Sequence, residues 1–382
     1  MKQQRPPTSE SAATWKPSQH SGSGKPVQLK DKTVKDLLTG TRRLVEVPYT
    51  ASLSHTVNAL VANKVVAVPV AAPPGRWIGA GGSMILESDK HTGAVRKHYI
   101  GMVTMLDILA HIAGDDRMNG DDGTGLEQKM AVPVSNIIGH SLEGLSLWTL
   151  NPTTSILDCM EVFSKGIHRA LVPVDSRMDN LSGVKLVESA PGYRMVTQMD
   201  VLRFLREHHG SEMAAASSLT IGESGALNPN VFAITNRTTV IEAIKCMRAP
   251  LLNAVPIVES GLLEEDHSQL VDGSGRKLVG TFSATDLRRC HLSALRPWLS
   301  ASALEFSQTV SEWMGPSVGA AAQRDQVTCR GGTTLGEVMD KAVDKHVHRV
   351  WVVSPQQDLL IGLVSLTDLI RVIRASFLSA LL

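Results

Sequence analysis

GTTLGEVMDKAVDKHVHRVWVVSPQQDLLIGLVSLTDLIR, residues 332–371, is the stretch whose reading decides the fold. A hydroxyl pair, Thr333-Thr334, opens an amphipathic helix whose apolar residues recur at helical spacing. VWVV then reads as a short, β-branched buried strand and IGLVS as a second strand. The sequence SLTD starts a closing helix. Working outward, the same order occurs three more times. Residues 44–70 (LVEVPYTASLSHTVNALVANKVVAVPV) lead, after an insertion, to YIGMVTMLDILAHI. Residues 147–174 (LWTLNPTTSILDCMEVFSKGIHRALVPV) lead to YRMVTQMDVLRFL, and residues 231–258 (VFAITNRTTVIEAIKCMRAPLLNAVPIV) to KLVGTFSATDLRRC. Each unit reads strand, hydroxyl-capped helix, strand, strand, helix, and such a repeat fixes the architecture before any single motif does.

Spacing supports the register. Thr154 and Arg169 lie fifteen positions apart, as do Thr334 and Arg349. A threonine pair opens the helix at Thr153-Thr154, Thr238-Thr239 and Thr333-Thr334. Cys159-Met160 and Cys246-Met247 fall in matching helical neighbourhoods, which marks these cysteines as packing residues. The units are expected at 29–114 (interrupted by an insertion at 73–98), 130–210, 219–294 and 306–376. A Ser/Pro/Lys/Gln-rich tail over 1–28 is expected to be disordered.

Composition narrows the function classes. The 382 residues are 43% hydrophobic and 20% charged, which suits a globular chain. Aromatic content of 4% leaves the core to Val, Leu, Ile, Ala and Met. Thirty-eight basic against thirty-seven acidic residues give a net charge of +1, so no global field draws the chain to nucleic acid or anionic membrane. No run reaches the roughly 20 apolar residues of a membrane span, and the amino terminus lacks the apolar core of a secretory signal. A cytoplasmic protein, with the nucleus as a second location, is the expectation. Four cysteines without CxxC spacing, and His346-x-His348 without a second ligand pair, give no metal site. The run at Gly79–Gly82 lacks the Lys-Ser/Thr of a phosphate loop. Trp298 and Trp313, in the linker between the third and fourth units, are read either as packing anchors or as part of a partner surface. No constellation for catalysis is present.

The recurrent chemical element is a hydroxyl residue followed three positions later by aspartate: Thr104/Asp107, Thr197/Asp200, Ser283/Asp286 and Ser365/Asp368. Helix capping explains any one copy. Four copies with Asp throughout also suit binding, because a carboxylate at a helix start can accept both hydroxyls of a ribose. His168-Arg169 and His348-Arg349, each between the first helix and the next strand, supply donors for phosphate.

On these residues the unit resembles the cystathionine-β-synthase (CBS) domain. The chain resembles four of them in two Bateman pairs, as in the gamma regulatory subunits of AMP-activated and sucrose-non-fermenting-related protein kinases, in their plant gamma-like branch. The resemblance implies an α/β (α+β) disc of four CBS domains and no enzymatic activity. AMP, ADP or ATP would be bound between units for energy sensing, with catalytic alpha and scaffolding beta subunits as partners. It implies ribose contacts at Asp107, Asp200, Asp286 and Asp368, with Thr104, Thr197, Ser283, Ser365, Thr154, Thr239 and Thr334 lining the sites. His168, Arg169, His348 and Arg349 would face phosphate, and no cofactor beyond the nucleotide is implied. The pattern departs at the matching positions of the first and third units, read as Lys64-Val65 and Asn253-Ala254, which are not basic pairs. A scaffold that docks kinase subunits without sensing nucleotide is the alternative.

Overall fold

The computed structural model describes residues 28–72, 97–113, 124–138, 147–174, 180–181, 184–185, 192–248, 250, 252–261, 265–286, 296–312 and 326–380. Most of the tail, most of the 73–98 insertion with its glycine run, Cys290, Trp313 and the Arg288-Arg289 pair, which the sequence places on a solvated face, lie outside these residues.

Four small sheets carry the repeat. The first unit comprises β1 (Val47–Pro48), a helix (Leu53–Asn63), β2 (Ala67–Ala71), β3 (Tyr99–Thr104) and a closing helix (Met105–Ala113). The second has a helix (Ile156–Ser164), β4 (Arg169–Val174), a two-residue ladder of β5 (Asn180–Leu181) with β6 (Val184–Lys185), β7 (Gly192–Thr197) and a helix (Gln198–His208). Its opening strand is one parallel bridge, Thr149 to Leu171. The third has β8 (Phe232–Thr235), a helix (Val240–Arg248), β9 (Ala254–Val258), β10 (Val271–Asp272) and β11 (Leu278–Ser283). The polar 259–277 loop thus contains a strand, β10, paired with β8. The fourth has β12 (Thr328–Cys329), a helix (Leu335–Asp344), β13 (Arg349–Val353), β14 (Leu360–Ser365) and a helix (Leu366–Ala380). In the first, third and fourth units the opening strand runs parallel to the second, and the second antiparallel to the last (β3, β11 and β14).

Each unit borrows its neighbour's lead-in. Val34 N–H donates to Thr154 O at 2.8 Å, tying the segment before the first unit onto the second. Leu53 N–H donates to Val132 O at 3.0 Å, the reciprocal tie. Ile221 to Thr333 (2.9 Å) and Ala303 to Thr238 (2.9 Å) repeat the exchange between the third and fourth units. The lead-in satisfies backbone groups at the helix start that would otherwise need solvent or side-chain partners.

Burial closes the ring. One core joins the first and third units through residues such as Leu60, Ile108, Ile244 and Phe306. A second joins the second and fourth through Phe163, Leu202, Val338 and Ile370. Smaller clusters close the seams between the third and fourth units and between the first and second. Trp298 packs edge-on against Phe306 with ring centres 5.8 Å apart, which identifies it as a packing residue of the first core. Gly362 is required by close approach: a Cβ there would meet Leu227 Cδ1 at 2.5 Å and Asn228 O at 2.7 Å. Among the described residues no helix is long and apolar enough to cross a membrane, and no group of His, Cys, Asp or Glu has metal-binding proximity.

Candidate functional site

All four aspartates act as caps. Thr104 N–H (2.8 Å) and Oγ1–H (2.7 Å) both donate to Asp107 Oδ2, and Asp107 N–H returns a bond to Thr104 Oγ1 at 3.2 Å. Thr197/Asp200 and Ser365/Asp368 repeat this geometry, with hydroxyl donation at 2.6 Å in each. The third unit differs. Ser283 N–H reaches Asp286 Oδ2 at 3.2 Å, while its hydroxyl turns to Asn253 O at 3.3 Å and to Thr285 at 2.8 Å.

In the three complete caps one oxygen, Oδ2, takes both bonds, and exposure then separates the aspartates. Asp107 and Asp286 are 4% and 2% exposed. The side chains of Asp200 and Asp368 keep 24% and 17%. Their Oδ1 atoms face arginines one helical turn on, Arg203 at 3.4 Å and Arg371 at 3.3 Å. Pairs this exposed add little stability. Sequence reasoning passed over both arginines, although Asp-x-x-Arg occurs at both places.

The helix-opening hydroxyls divide. Thr239 and Thr334 cap their helices, each donating to a glutamate three residues on, Glu242 at 2.7 Å and Glu337 at 3.0 Å. Thr154 does not. Ser155 caps the second unit's helix, accepting from Asp158 N–H at 3.0 Å, so the fifteen-residue spacing from Thr154 is offset by one. The Ser-x-x-Asp spacing of Ser155 and Asp158 carried that signal in the sequence. Thr154 serves instead through its carbonyl, which holds Val34.

Strand register locates the basic pairs. Arg169 lies opposite Thr197, and Arg349 opposite Ser365. Ala67 and Ala254 occupy the same position against Thr104 and Ser283. The first unit's counterpart of His-Arg is therefore Val66-Ala67. Lys64, placed there by the sequence reading, sits earlier at the helix end with φ 55, a left-handed position that His346 (φ 51) and Gly166 (φ 91) share.

The arginines reach across the seams. Arg349 donates from Nη1 to Ala254 O at 2.7 Å, beside the Ser283 turn of the third unit. Its Nε is buried without a partner, and burial pushes its pKa down to about 10. Arg169 brings Nη1 within 4.0 Å of Met102 Sδ, two residues before Thr104 of the first unit. His168 is half-buried and His348 exposed. Both cations thus approach the units with buried aspartates, while the accessible aspartates lie on the arginine-bearing units. A further link escaped the sequence reading: buried Gln198 donates from Nε2 to Thr367 Oγ1 at 2.9 Å and to Phe163 O at 3.0 Å. It joins the aspartate turns of the second and fourth units, and a lone glutamine carries no sequence signal for such a role.

Repeat, topology and cap geometry define a protein of CBS units, and comparison with known proteins agrees. A profile of the CBS domain matches residues 318–375. The chain is 57% identical over 353 residues to "SNF1-related protein kinase regulatory subunit gamma-like PV42a" of Arabidopsis thaliana, covering 91% of this chain and 96% of that protein. It is 54% identical to the PV42b protein of the same plant, over 91% and 95%. The fold is shared with protein MJ1225 of Methanocaldococcus jannaschii at a TM-score of 0.58 and 16% identity, covering 89% of this chain and 99% of that one. The chain belongs to the SNF1-related protein kinase regulatory subunit gamma-like family. Its relatives are named as regulatory subunits, and it stands with them as a non-catalytic protein.

Proposed function

We propose that the chain is the adenine-nucleotide-responsive regulatory subunit of an SNF1-related serine/threonine kinase, assembling with catalytic alpha and scaffolding beta subunits. The observation that carries the nucleotide part is Arg349. A guanidinium held in a buried seam by one carbonyl, with Nε unpartnered, is an uncompensated charge. A phosphate would supply the missing acceptors in bidentate form. Ribose hydroxyls would be taken by cap aspartates, which keep Oδ2 for the cap; at Asp200 and Asp368 they would displace Arg203 and Arg371 from Oδ1. His168, Arg169 and His348 would add donors to neighbouring phosphates, and Thr239 and Thr334 would line the clefts. Nucleotide then shifts the population of assembly states by its differential affinity for them. Kinase partnership rests on the names of the two close relatives.

Calorimetry with AMP, ADP and ATP on the purified chain is the test, and saturable binding is expected. Absence of heat at millimolar ligand overturns sensing. The use of the aspartates as helix caps, complete at Asp107, Asp200 and Asp368, favours a second reading, a scaffold without sensing. Asp286→Ala and Asp368→Ala decide between them: regulation lost with association retained supports sensing, and both unchanged supports the scaffold.

A further inference from the structure

The two seams between paired units are built from matching positions but tied differently. Strand register sets Thr41, Lys97, Gly192 and Met195 of the first–second seam against Asn228, Arg276, Leu360 and Leu363 of the third–fourth seam. Asn228 and Leu363 exchange backbone hydrogen bonds in both directions at 2.9 Å, and Leu360 N–H donates to Arg276 O at 2.8 Å. The Trp351 indole adds a bond to Thr281 Oγ1 at 2.8 Å. Among the described residues none of these bonds recurs in the first–second seam. Thr41 turns its N–H and its hydroxyl back to Leu38 O, at 3.1 and 2.8 Å. Met195 N–H and C=O face the seam as those of Leu363 do, and they meet no backbone partner among the described residues.

One position accounts for the difference. Gly362 lies beside Leu363, and a Cβ there would meet Asn228 O at 2.7 Å, so the two-way bridge requires a residue without a side chain. Val352 faces Gly362 in the fourth unit, and Val172 faces Arg194 in the second. An arginine therefore stands where the bridge needs glycine. A charged side chain is also what lets a strand edge stay uncovered without recruiting another strand. The contacts left across the first–second edge are the Tyr99 and Tyr193 rings, 5.4 Å apart, and Arg169 Nη1 at 4.0 Å from Met102 Sδ. Local opening favours segments held by few backbone hydrogen bonds. The lead-in bonds of Val34 to Thr154 and of Leu53 to Val132 remain as the hinge of that opening.

We propose that Arg194 holds the first–second seam ajar and makes it the conformational joint of the molecule, while Gly362 lets the third–fourth seam latch. The device is independent of the cap aspartates and of the nucleotide reading. The experiment is hydrogen–deuterium exchange of the full chain, resolved to single amides. Leu363 N–H is expected to exchange at least about a hundredfold more slowly than Met195 N–H. Val196 and Val364 hold matching places inside their own ladders, so they report opening itself. Val196 is expected to exchange about tenfold faster than Val364. Arg194→Gly is expected to let Met195 N–H donate to the Thr41 carbonyl and to slow its exchange about tenfold or more. Arg194→Ala is expected to leave Met195 as fast as in wild type, because a Cβ alone fills that space at Gly362. Gly362→Ala is expected to bring Leu363 towards the rate of Met195. Equal protection of Met195 and Leu363, or of Val196 and Val364, overturns the joint, even if Gly362→Ala does not fold. Fast exchange of Met195 in Arg194→Gly, or slow exchange in Arg194→Ala, overturns the role of Arg194.

Discussion

Replacing Arg349 by leucine separates a guanidinium kept for stability from one kept for a ligand. Burial lowers its pKa well below the ordinary guanidinium range, to about 10, which corresponds to a penalty on the order of 3 kcal/mol for holding the charge in place. Leucine removes that penalty and fills part of the seam with apolar atoms. The loss is the 2.7 Å bond to Ala254 O, whose carbonyl then costs about 1 kcal/mol or slightly more. The net expectation is a variant more stable than wild type by about 1–2 kcal/mol, as when buried charges give way to apolar side chains. At about 2–4 °C per kcal/mol for a paired unit of this size, melting should rise by several degrees. The pH sign follows from the lowered pKa. The folded state releases its proton before the unfolded chain does, so the penalty is complete below pH 10 and lifts as pH rises through that value. The gap between wild type and variant should therefore be flat from pH 6 to 8 and narrow only in strong alkali. Differential scanning calorimetry and AMP titration of the same samples read both halves. A variant less stable by 1 kcal/mol or more would show the guanidinium to be structural, and undiminished nucleotide affinity would remove Arg349 from the site.

Gln198→Ala takes the amide donor from the Thr367 hydroxyl and leaves the Phe163 carbonyl to Gly166 N–H at 3.3 Å, so a stability loss of about 1 kcal/mol is expected by urea titration; a neutral result would show that water replaces the amide. Burial pushes the thiols of Cys159 up to about 12 and of Cys329 up to about 11, and half-exposed Cys246 to about 11. Iodoacetamide at pH 8 should label Cys246 slowly and leave Cys159 and Cys329 untouched until urea unfolds the chain, as mass spectrometry of the labelled peptides reports.

Legibility differed with the range of the interaction. The four units were legible because each strand and helix is specified by its own periodicity, as VWVV and the helix after Thr334 illustrate. The caps were legible because Thr104 and Asp107, or Ser365 and Asp368, are neighbours in sequence as well as in space. The exchange of lead-ins was not. Val34 finds Thr154 through backbone groups that carry no side-chain signature. The register of the first unit was misread because Lys64 offered a charge where one was sought, while the β-ladder places Ala67 there. Even Thr154 was displaced by one residue, because a threonine pair and a following serine offer three hydroxyls of equal chemistry to one helix start.

Pseudo-symmetry explains why the basic pairs sit only on alternate units. In the third–fourth seam Arg349 meets the third unit's Ala254, and in the first–second seam Arg169 approaches Met102 of a unit whose matching strand position is Ala67. Two arginines meeting in one buried seam would repel without solvent to screen them. A small residue opposite instead gives the guanidinium a backbone carbonyl to hold. The arrangement allows one strongly cationic position per pair of units, which breaks the equivalence of clefts that the four identical cap motifs suggest. Buried Gln198 then joins the aspartate turns of the second and fourth units, the two that bear the arginines. A ligand that pulled on Asp200 or Asp368 would therefore act on a turn hydrogen-bonded to the other, one direct contact between the two unit pairs beside those of Arg206 with Asp344 and Arg374 with Leu157.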